Sequence, residues 1–210
     1  QFCPISRALD VLGERWTLLI VRELLMGPLR YTDLREHLPG MWSNLLAQRL
    51  RDLEAGGIVR RTELPPPAAR TVYELTERGR LLAPVLHEIA RWGLPYLDAP
   101  SAEQPILHHM MPEGVRSMIL IEALPSRPVT AHLVFEPEVG EFSVDVAAEG
   151  APLVERVRVT RGAPARADVV VRGSILELLG VRRGDVDLAD TGLTLEGPPR
   201  KVDAIAGLFG

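Results

Sequence analysis

The sequence predicts an α+β protein in two parts: helices that lead into a hairpin, then a domain with a mainly antiparallel sheet. Three observations support this fold class. Leucines recur at helical spacing in residues 43–55, strand-like runs flank the proline-rich tip at 65–70, and apolar–polar alternation returns after residue 128. A small, polar, proline-bracketed segment at 98–105 separates the parts, so we assign domains to residues 1–98 and 105–210.

The first half is predicted to be mostly helical. Thr32 and Ser43 are the expected caps of the third and fourth helices. Gly56-Gly57 ends the fourth helix, since glycine tolerates a left-handed C-cap. Pro84 is expected to kink the fifth, because proline removes a backbone hydrogen bond. The five predicted helices span residues 4–12, 14–26, 31–38, 43–55 and 76–97.

The fourth helix leads directly into a basic hairpin, made of IVRRTEL, the tip PPPAAR and TVYEL. Helix, turn, helix and hairpin in this order are typical of a winged helix-turn-helix, in which a helix enters the major groove of DNA. Residues 49–80 carry seven arginines against five acidic residues, although the chain has a net charge of −4. Binding to phosphates would therefore come from a local patch. A plain solvated arginine surface is the alternative.

We expect this patch to bind double-stranded DNA. Asn44 and Gln48 suit adenine, and Arg51 suits guanine or phosphate. The hairpin arginines suit the phosphate backbone or the minor groove. Arg49 lies nearer the buried side, where a structural salt bridge is the alternative. The predicted DNA-binding residues are Ser43, Asn44, Gln48, Arg49, Arg51, Arg60, Arg61 and Arg70.

The first half resembles the HxlR-type family of bacterial winged-helix transcription regulators. The matching motifs are CPISRALDVLGERWTLLIVRELLMG, RYTDLREHLPG, LLAQRLRDLEAGGIVRR and VYELTERGRLLAPVL with RWG after it, in the family's order and spacing. Met41-Trp42 replaces a common Ile-Ser pair, Asn44 replaces a usual lysine, and the wing tip is rich in proline. Base preference therefore cannot be carried over from the family.

With one cysteine and no disulfide framework, a cytoplasmic protein is the default. Because such helices read two half-sites related by a two-fold axis, we expect a homodimer, and we expect it to act as a repressor. We expect the dimer to form through residues 4–12 and 84–97, with Trp92 and Leu94 as anchors. In some family members a cysteine at the position of Cys3 is a redox switch, which requires an accessible thiol with a lowered pKa. A small side chain packed near the dimer helices is the alternative for Cys3.

The second half reads as strands and two helices. Strands are predicted in PVTAHLVFEP, FSVDVAAEG, LVERVRVTRG, ADVVVR and GDVDLADTGLTLEG. Ser174 caps a helix in SILELLGV, and PPRKVDAIAGLF forms the last helix. Part of the second half resembles the sterol-carrier-protein-type lipid-binding fold. The matching segments are ADVVVRGSILELLGVRRG and, after it, DVDLADTGLTLEGPPRKVDAI. That resemblance implies an apolar cavity and a hydrophobic small-molecule effector.

The apolar side chains that would line such a cavity also suit an ordinary core. The predicted ligand-binding residues are Ile119, Leu133, Phe135, Phe142, Val144, Leu176 and Leu179.

Other classes of function lack support in the sequence. There is no catalytic or phosphate-binding motif, so we predict neither an enzyme nor a cofactor. Adjacent His108 and His109 would alternate in a strand, so we predict no metal site. The sequence contains no run of 18 apolar residues, so it does not predict a membrane span. Two alternatives remain: a lipid carrier whose helical half binds other proteins, and a regulator controlled only by oxidation of Cys3.

Overall fold

The computed structural model describes residues 2–65, 70–97 and 108–210. The chain divides into two compact units, Gln1–Leu86 and His87–Gly210. Most of the predicted wing tip, residues 66–69, and the predicted linker at 98–105 lie outside the described residues. Within the described ranges, no helix is both long enough and apolar enough to cross a membrane.

The first unit consists of helices and a two-stranded hairpin, and its last helix, α6, continues into the second unit. The elements are α1 (Pro4–Leu12), α2 (Thr17–Leu25), α3 (Tyr31–His37), α4 (Ser43–Ala55), β1 (Val59–Glu63), β2 (Thr71–Leu75), α5 (Glu77–Arg80) and α6 (Ala83–Gly93).

The core of the first unit forms between α2, α3, α4 and the hairpin. The leucines of α4 that have helical spacing, Leu46, Leu50 and Leu53, are at most 1% exposed. Their burial turns the opposite, polar side of α4 towards solvent. The other buried apolar residues of this core are Ile20, Val21, Leu24, Leu34, Leu38, Met41, Ile58, Val59 and Leu75.

Three predicted helix boundaries need correction. Ser43 is the first helical residue of α4, because Trp42 occupies the N-cap. Thr32 is also inside its helix, and the N–H of Arg30 donates to the Asp33 carboxylate, 3.0 Å away, at the start of α3. The predicted kink at Pro84 is instead a break between α5 and α6. Pro84 then lies in the first turn of α6, where a missing N–H costs no helical hydrogen bond.

The wing hairpin is fixed at its base by contacts distant in sequence. β1 and β2 pair antiparallel, with Val59 opposite Leu75. Leu29 adds a bridge on the outer side of β2, where its N–H lies 3.0 Å from the Tyr73 oxygen and its oxygen 2.7 Å from the Tyr73 N–H. At Gly79 in α5, a Cβ atom would lie 2.2 Å from the carbonyl oxygen of Ile58. Only glycine therefore fits where α5 crosses the start of the hairpin.

The second unit contains a five-stranded sheet and short helices. Its elements are α7 (Met111–Ser117), β3 (Val129–Val134), β4 (Glu141–Val146), α8 (Leu153–Arg156), β5 (Val157–Arg161), β6 (Val169–Arg172), α9 (Ile175–Arg183), β7 (Thr194–Glu196) and α10 (Pro199–Ala206). The strand order is β5-β4-β3-β6-β7, and only β3 and β6 pair in parallel. The α+β class with a mainly antiparallel sheet is therefore confirmed.

Alternation along the strands produces the core of the second unit. In β3, Val129, Ala131 and Leu133 are buried, while the residues between them are partly exposed. Ser174 caps α9 as predicted, since its side chain accepts from the N–H of Leu176 and Glu177 completes a capping box. His108 and His109 lie in a 3-10 turn and not in a strand.

Candidate nucleic-acid interface

The helix predicted to enter the major groove, α4, is held at its first residue. The Tyr31 hydroxyl donates to the carbonyl oxygen of Ser43 at 2.7 Å, which ties the start of α3 to the start of α4. With its leucines buried, α4 presents four of the predicted contact residues to solvent: Ser43, Asn44, Gln48 and Arg51. Helix-turn-helix proteins read bases from the exposed side and N-terminal part of this helix.

The exposed side chains of α4 differ in whether internal hydrogen bonds already occupy the groups that would contact DNA. Arg51 donates to the Gln48 side-chain oxygen at 2.6 Å, and Gln48 donates to Asp52 at 2.7 Å. These bonds orient Gln48, but a base contact would have to replace them. Asn44 makes no side-chain hydrogen bond within the described chain. Its amide is therefore available for direct base contact.

Arg49 forms salt bridges within the protein, which was the alternative to DNA contact for this residue. Its guanidinium lies 2.7 Å from Glu14 and 2.9 Å from Asp52, and its side chain is only 19% exposed. Both ends of the fork are occupied by carboxylates. Arg49 would have to give up an ion pair to contact a phosphate.

The wing carries a similar division between bound and free arginines. Arg60 donates through Nε to Glu74 at 2.9 Å, and the Thr62 hydroxyl donates to the same oxygen at 2.7 Å. The hydrogen bond from Thr62, followed by the one from Arg60, holds the pKa of Glu74 below its usual value. Glu74 is therefore charged at neutral pH and fixes one nitrogen of Arg60.

Arg61 and Arg70 are the freest cations of the wing. Both are exposed, and neither side chain has a hydrogen bond or an ion pair in the part of the chain that the structure describes. They lie on the two arms of the hairpin, at strand β1 and just before strand β2. Two unpaired guanidinium groups at these positions can bind phosphate oxygens without losing an internal contact.

An exposed aromatic residue stands beside the predicted contact residues. Trp42 is 79% exposed at the N-cap of α4. The sequence marked this position as a departure from the family but assigned it no role. Trp42 lies at the N-terminal end of α4, the end from which helix-turn-helix proteins contact bases.

The predicted effector residues are mostly part of the second unit's core. Leu176 differs, since it is 47% exposed on α9. The rings of Phe135 and Phe142 pack with centroids 6.1 Å apart. The six buried members are Ile119, Leu133, Phe135, Phe142, Val144 and Leu179.

Cys3 is a half-buried free thiol at the N-cap of α1. Arg7, the basic residue one turn further on, forms an ion pair with Asp10 at 3.0 Å. Its guanidinium is therefore directed to a carboxylate within α1.

The two expected dimer anchors have different environments. Trp92 is 72% exposed and packs beside Tyr96, with ring centroids 5.1 Å apart. Leu94 is only 6% exposed and belongs to the core of the second unit, so its assignment as an exposed anchor is wrong. The helix ends at Gly93, and the 3-10 turn Leu94–Tyr96 changes the direction in which the following side chains point.

Comparison with known proteins gives matches to the first half of the chain. A family profile described as HxlR-like helix-turn-helix matches residues 11–101. The regulator YvaP of Bacillus subtilis is 38% identical over 99 residues, which are 47% of this chain and 92% of YvaP. YodB, another regulator of that organism, is 38% identical over 92 residues, which are 43% of this chain and 82% of YodB.

Two solved structures align with the same region. Reduced YodB from B. subtilis is 34% identical and covers 48% of this chain and all of its own, with a TM-score of 0.42. The oxidised form of the redox regulator HypR is 33% identical and covers 46% of this chain and all of its own, with a TM-score of 0.43. The family match ends at residue 101, before the strands of the second unit. Because the chain shares 38% identity with YvaP over nearly the whole of that regulator, it belongs to the HxlR-like helix-turn-helix family of transcriptional regulators.

Proposed function

We propose that this protein is a cytoplasmic, homodimeric repressor that binds a specific DNA operator. The observation that carries the proposal is the polar side of α4, with Asn44 unpaired, followed directly by a wing with Arg61 and Arg70 unpaired. The helix supplies base contacts and the wing supplies phosphate contacts. Membership of a family of transcriptional regulators supports the same proposal.

A gel shift with the promoters of the protein's own gene and of its neighbour tests DNA binding. We expect a shifted band that a shuffled duplex of the same length does not compete away. A reporter driven by the bound promoter then gives the sign of regulation, and a repressor lowers its output. Equal affinity for operator and shuffled duplexes would refute sequence-specific binding. No shift at all would favour the carrier alternative.

The proposed dimer rests on helices whose apolar residues are unusually exposed. No residue of α1 is buried, and Ile5 and Leu9 are 71% and 58% exposed. On α6, Ile89 and Trp92 are 45% and 72% exposed. Exposed apolar side chains on these helices are what an isologous interface would cover. A two-fold dimer would also give two recognition helices for two half-sites.

The mass of the particle in solution tests the dimer. We expect light scattering to give twice the 23.1 kDa of one chain. Trp92→Glu should shift the mass towards one chain, because it places a charge in the contact. Leu176→Glu is the matched control, since Leu176 is also an exposed apolar residue but lies on α9. An unchanged mass for Trp92→Glu would refute this interface.

The second unit is proposed to sense a hydrophobic small molecule, as its resemblance to sterol-carrier-type domains implies. In this segment the strand β6 is followed by the Ser174-capped helix α9 and then by the strand β7. Native mass spectrometry of the dimer tests for a co-purified molecule. If no molecule is carried and no apolar compound alters DNA affinity, the sensing role is refuted.

Control by oxidation of Cys3 is the second candidate. HypR is described as a redox regulator, and the thiol of Cys3 in this chain is free and partly exposed. After mild oxidation, a non-reducing gel should show a dimer band that disappears in Cys3→Ser. A gel without this band would remove the redox route and leave the second unit as the sensor.

A further inference from the structure

Two partly buried arginines at the ends of helices lie within electrostatic reach of each other in the second unit. Arg91 is in the last turn of α6, and Arg182 is in the last turn of α9. The Arg183 side chain donates to the carbonyl oxygen of Leu97 at 2.7 Å, which holds the end of α9 against the segment that follows α6. Both arginines are partly buried, and the Arg91 side chain is 21% exposed.

The donors of this pair are poorly satisfied. The Nε atoms of Arg91 and Arg182 are both buried, and neither has a hydrogen-bond partner in the described ranges. The other nitrogens of Arg91 make only long contacts, at 3.4 Å to Glu88 and 3.4 Å to the carbonyl oxygen of Ile119. A guanidinium has five N–H donors in a fixed fork, and a buried donor left unpaired is costly.

The two positive charges also act on each other. Burial, followed by the charge of Arg91, lowers the pKa of Arg182, and the carboxylate of Glu122 opposes both. Arginine stays protonated in proteins even so. Two partly buried cations therefore repel each other, and acidic groups near them are Glu88, which faces Arg91, and Glu122, which acts on Arg182. An added anion would offset this repulsion and could accept from the outer nitrogens of both guanidinium groups, since the Nε atoms themselves are buried.

We propose that Arg91 and Arg182 together bind the oxyanion of an acidic small molecule, either a carboxylate or a phosphate. Planar guanidinium forks suit both groups, because each offers two oxygens to two parallel N–H donors. The proposal rests on the sensing role of the second unit and adds an acid group to its effector. Leu179, one turn before Arg182, and Ile119, whose carbonyl oxygen faces Arg91, are buried in the core of the second unit, so the two arginines and not these side chains would bind the acid group.

Calorimetry on the full-length protein at low ionic strength tests the site with three probes. Benzoate carries a carboxylate on an apolar ring, benzamide has the same shape without charge, and inorganic phosphate is an oxyanion alone. We expect benzoate to bind at least about tenfold more tightly than benzamide, since charge-assisted hydrogen bonds are the stronger ones. If phosphate binds and benzoate does not, the site is assigned to phosphate groups. If neither anion binds up to about 10 mM, the proposal is overturned.

Two variants that each remove one positive charge test whether the anion binds at Arg182. Arg182→Gln should weaken the bound anion by about tenfold or more. Arg172→Gln, in the exposed outer part of β6, removes the same charge and should change affinity by less than about twofold. Equal weakening by both variants would mean that the anion follows the general charge of the protein, which overturns the site.

The melting temperature without anion separates a binding role from a structural one. Arg182→Gln should melt at the same or a higher temperature, since it removes a poorly solvated charge beside Arg91. A drop of several degrees would show that Arg182 stabilises the fold, and the proposal would fail. DNA affinity of Arg182→Gln without anion should equal that of the natural chain. If the natural chain does not bind DNA, the proposed function is refuted, but the anion-binding proposal is not.

Discussion

Replacement of Arg61 by alanine is the most direct test of the wing. Arg61 is exposed on β1, and its side chain is unpaired among the residues that the structure describes. Its neighbour Arg60 is 61% exposed but bound to Glu74. Truncating Arg61 therefore removes a cation without leaving an internal carboxylate unpaired. Any change in DNA binding can be attributed to a lost phosphate contact.

The expected magnitude follows from counterion release. Each phosphate contact contributes about 0.9 to the slope of log K against log salt concentration, so two wings in a dimer contribute about 1.8. At 0.1 M salt, one decade below 1 M, this corresponds to a loss in affinity of about 60-fold. Fluorescence anisotropy with a labelled promoter duplex gives the slope. A shuffled duplex should show the same loss, because phosphate contacts are independent of sequence.

Arg200→Ala is the matched control, since Arg200 is an exposed arginine on α10. We expect its salt slope to equal that of the natural chain. If Arg61→Ala keeps the natural slope, or if Arg200→Ala lowers the slope as much, the wing does not contact phosphates as proposed.

Three further predictions concern the helix and the second unit. Arg49→Ala should lower the free energy of unfolding by about 1 kcal/mol in urea titrations, because its two exposed carboxylate partners are screened by solvent, and it should change the salt slope less than Arg61→Ala. Asn44→Ala should change the sequences recovered by selection from random DNA, whereas Arg70→Ala should weaken all sequences alike. Asp168 has a pKa lowered first by Lys201 and then by the N–H of Thr130, so its contribution to stability is present above its ordinary pKa of 3.8 and is lost as the pH falls through the lower, folded value. Asp168→Asn should therefore melt below the natural chain at pH 7, and the two melting curves should converge under acid.

The recognition helix could be predicted from sequence because its signals are local. The spacing of Leu46, Leu50 and Leu53 determines which side is buried, and Gly57 adopts a positive φ of 68° where the helix must end. The bridge between Leu29 and Tyr73 could not be predicted. A single backbone pairing between residues 44 positions apart produces no repeating pattern of apolar residues in the sequence. The available donors of α4 and the wing also depend on partners distant in sequence, such as Glu14 for Arg49.

The second unit shows what alternation can and cannot predict. Alternating residues identified the buried side of β3, but the same pattern suits both strand directions, and the parallel pairing of β3 with β6 is not encoded in it. Leu94 shows a similar limit. The sequence predicts a helix through residue 97, whereas the helix ends at Gly93 and Leu94 is buried in the following 3-10 turn. Whether apolar residues fill a core or line a cavity depends on packing, which composition does not determine.

If the proposed effector binds at Arg91 and Arg182, α6 is the segment through which it could act on the first unit. Leu82, just before α6, and Leu86, in its first turn, pack against the core of the first unit, and Trp92, near the end of α6, is the proposed dimer anchor. Arg91 is the residue before that anchor and belongs to the proposed anion site. An anion held by Arg91 and Arg182 would therefore favour one position of the end of α6. DNA affinity would change only if the anion binds more tightly to one of two dimer states, by the same factor as the change in operator affinity. Measured benzoate affinity with and without operator must consequently differ if the site is regulatory, and equal values would make it a binding site without control over DNA.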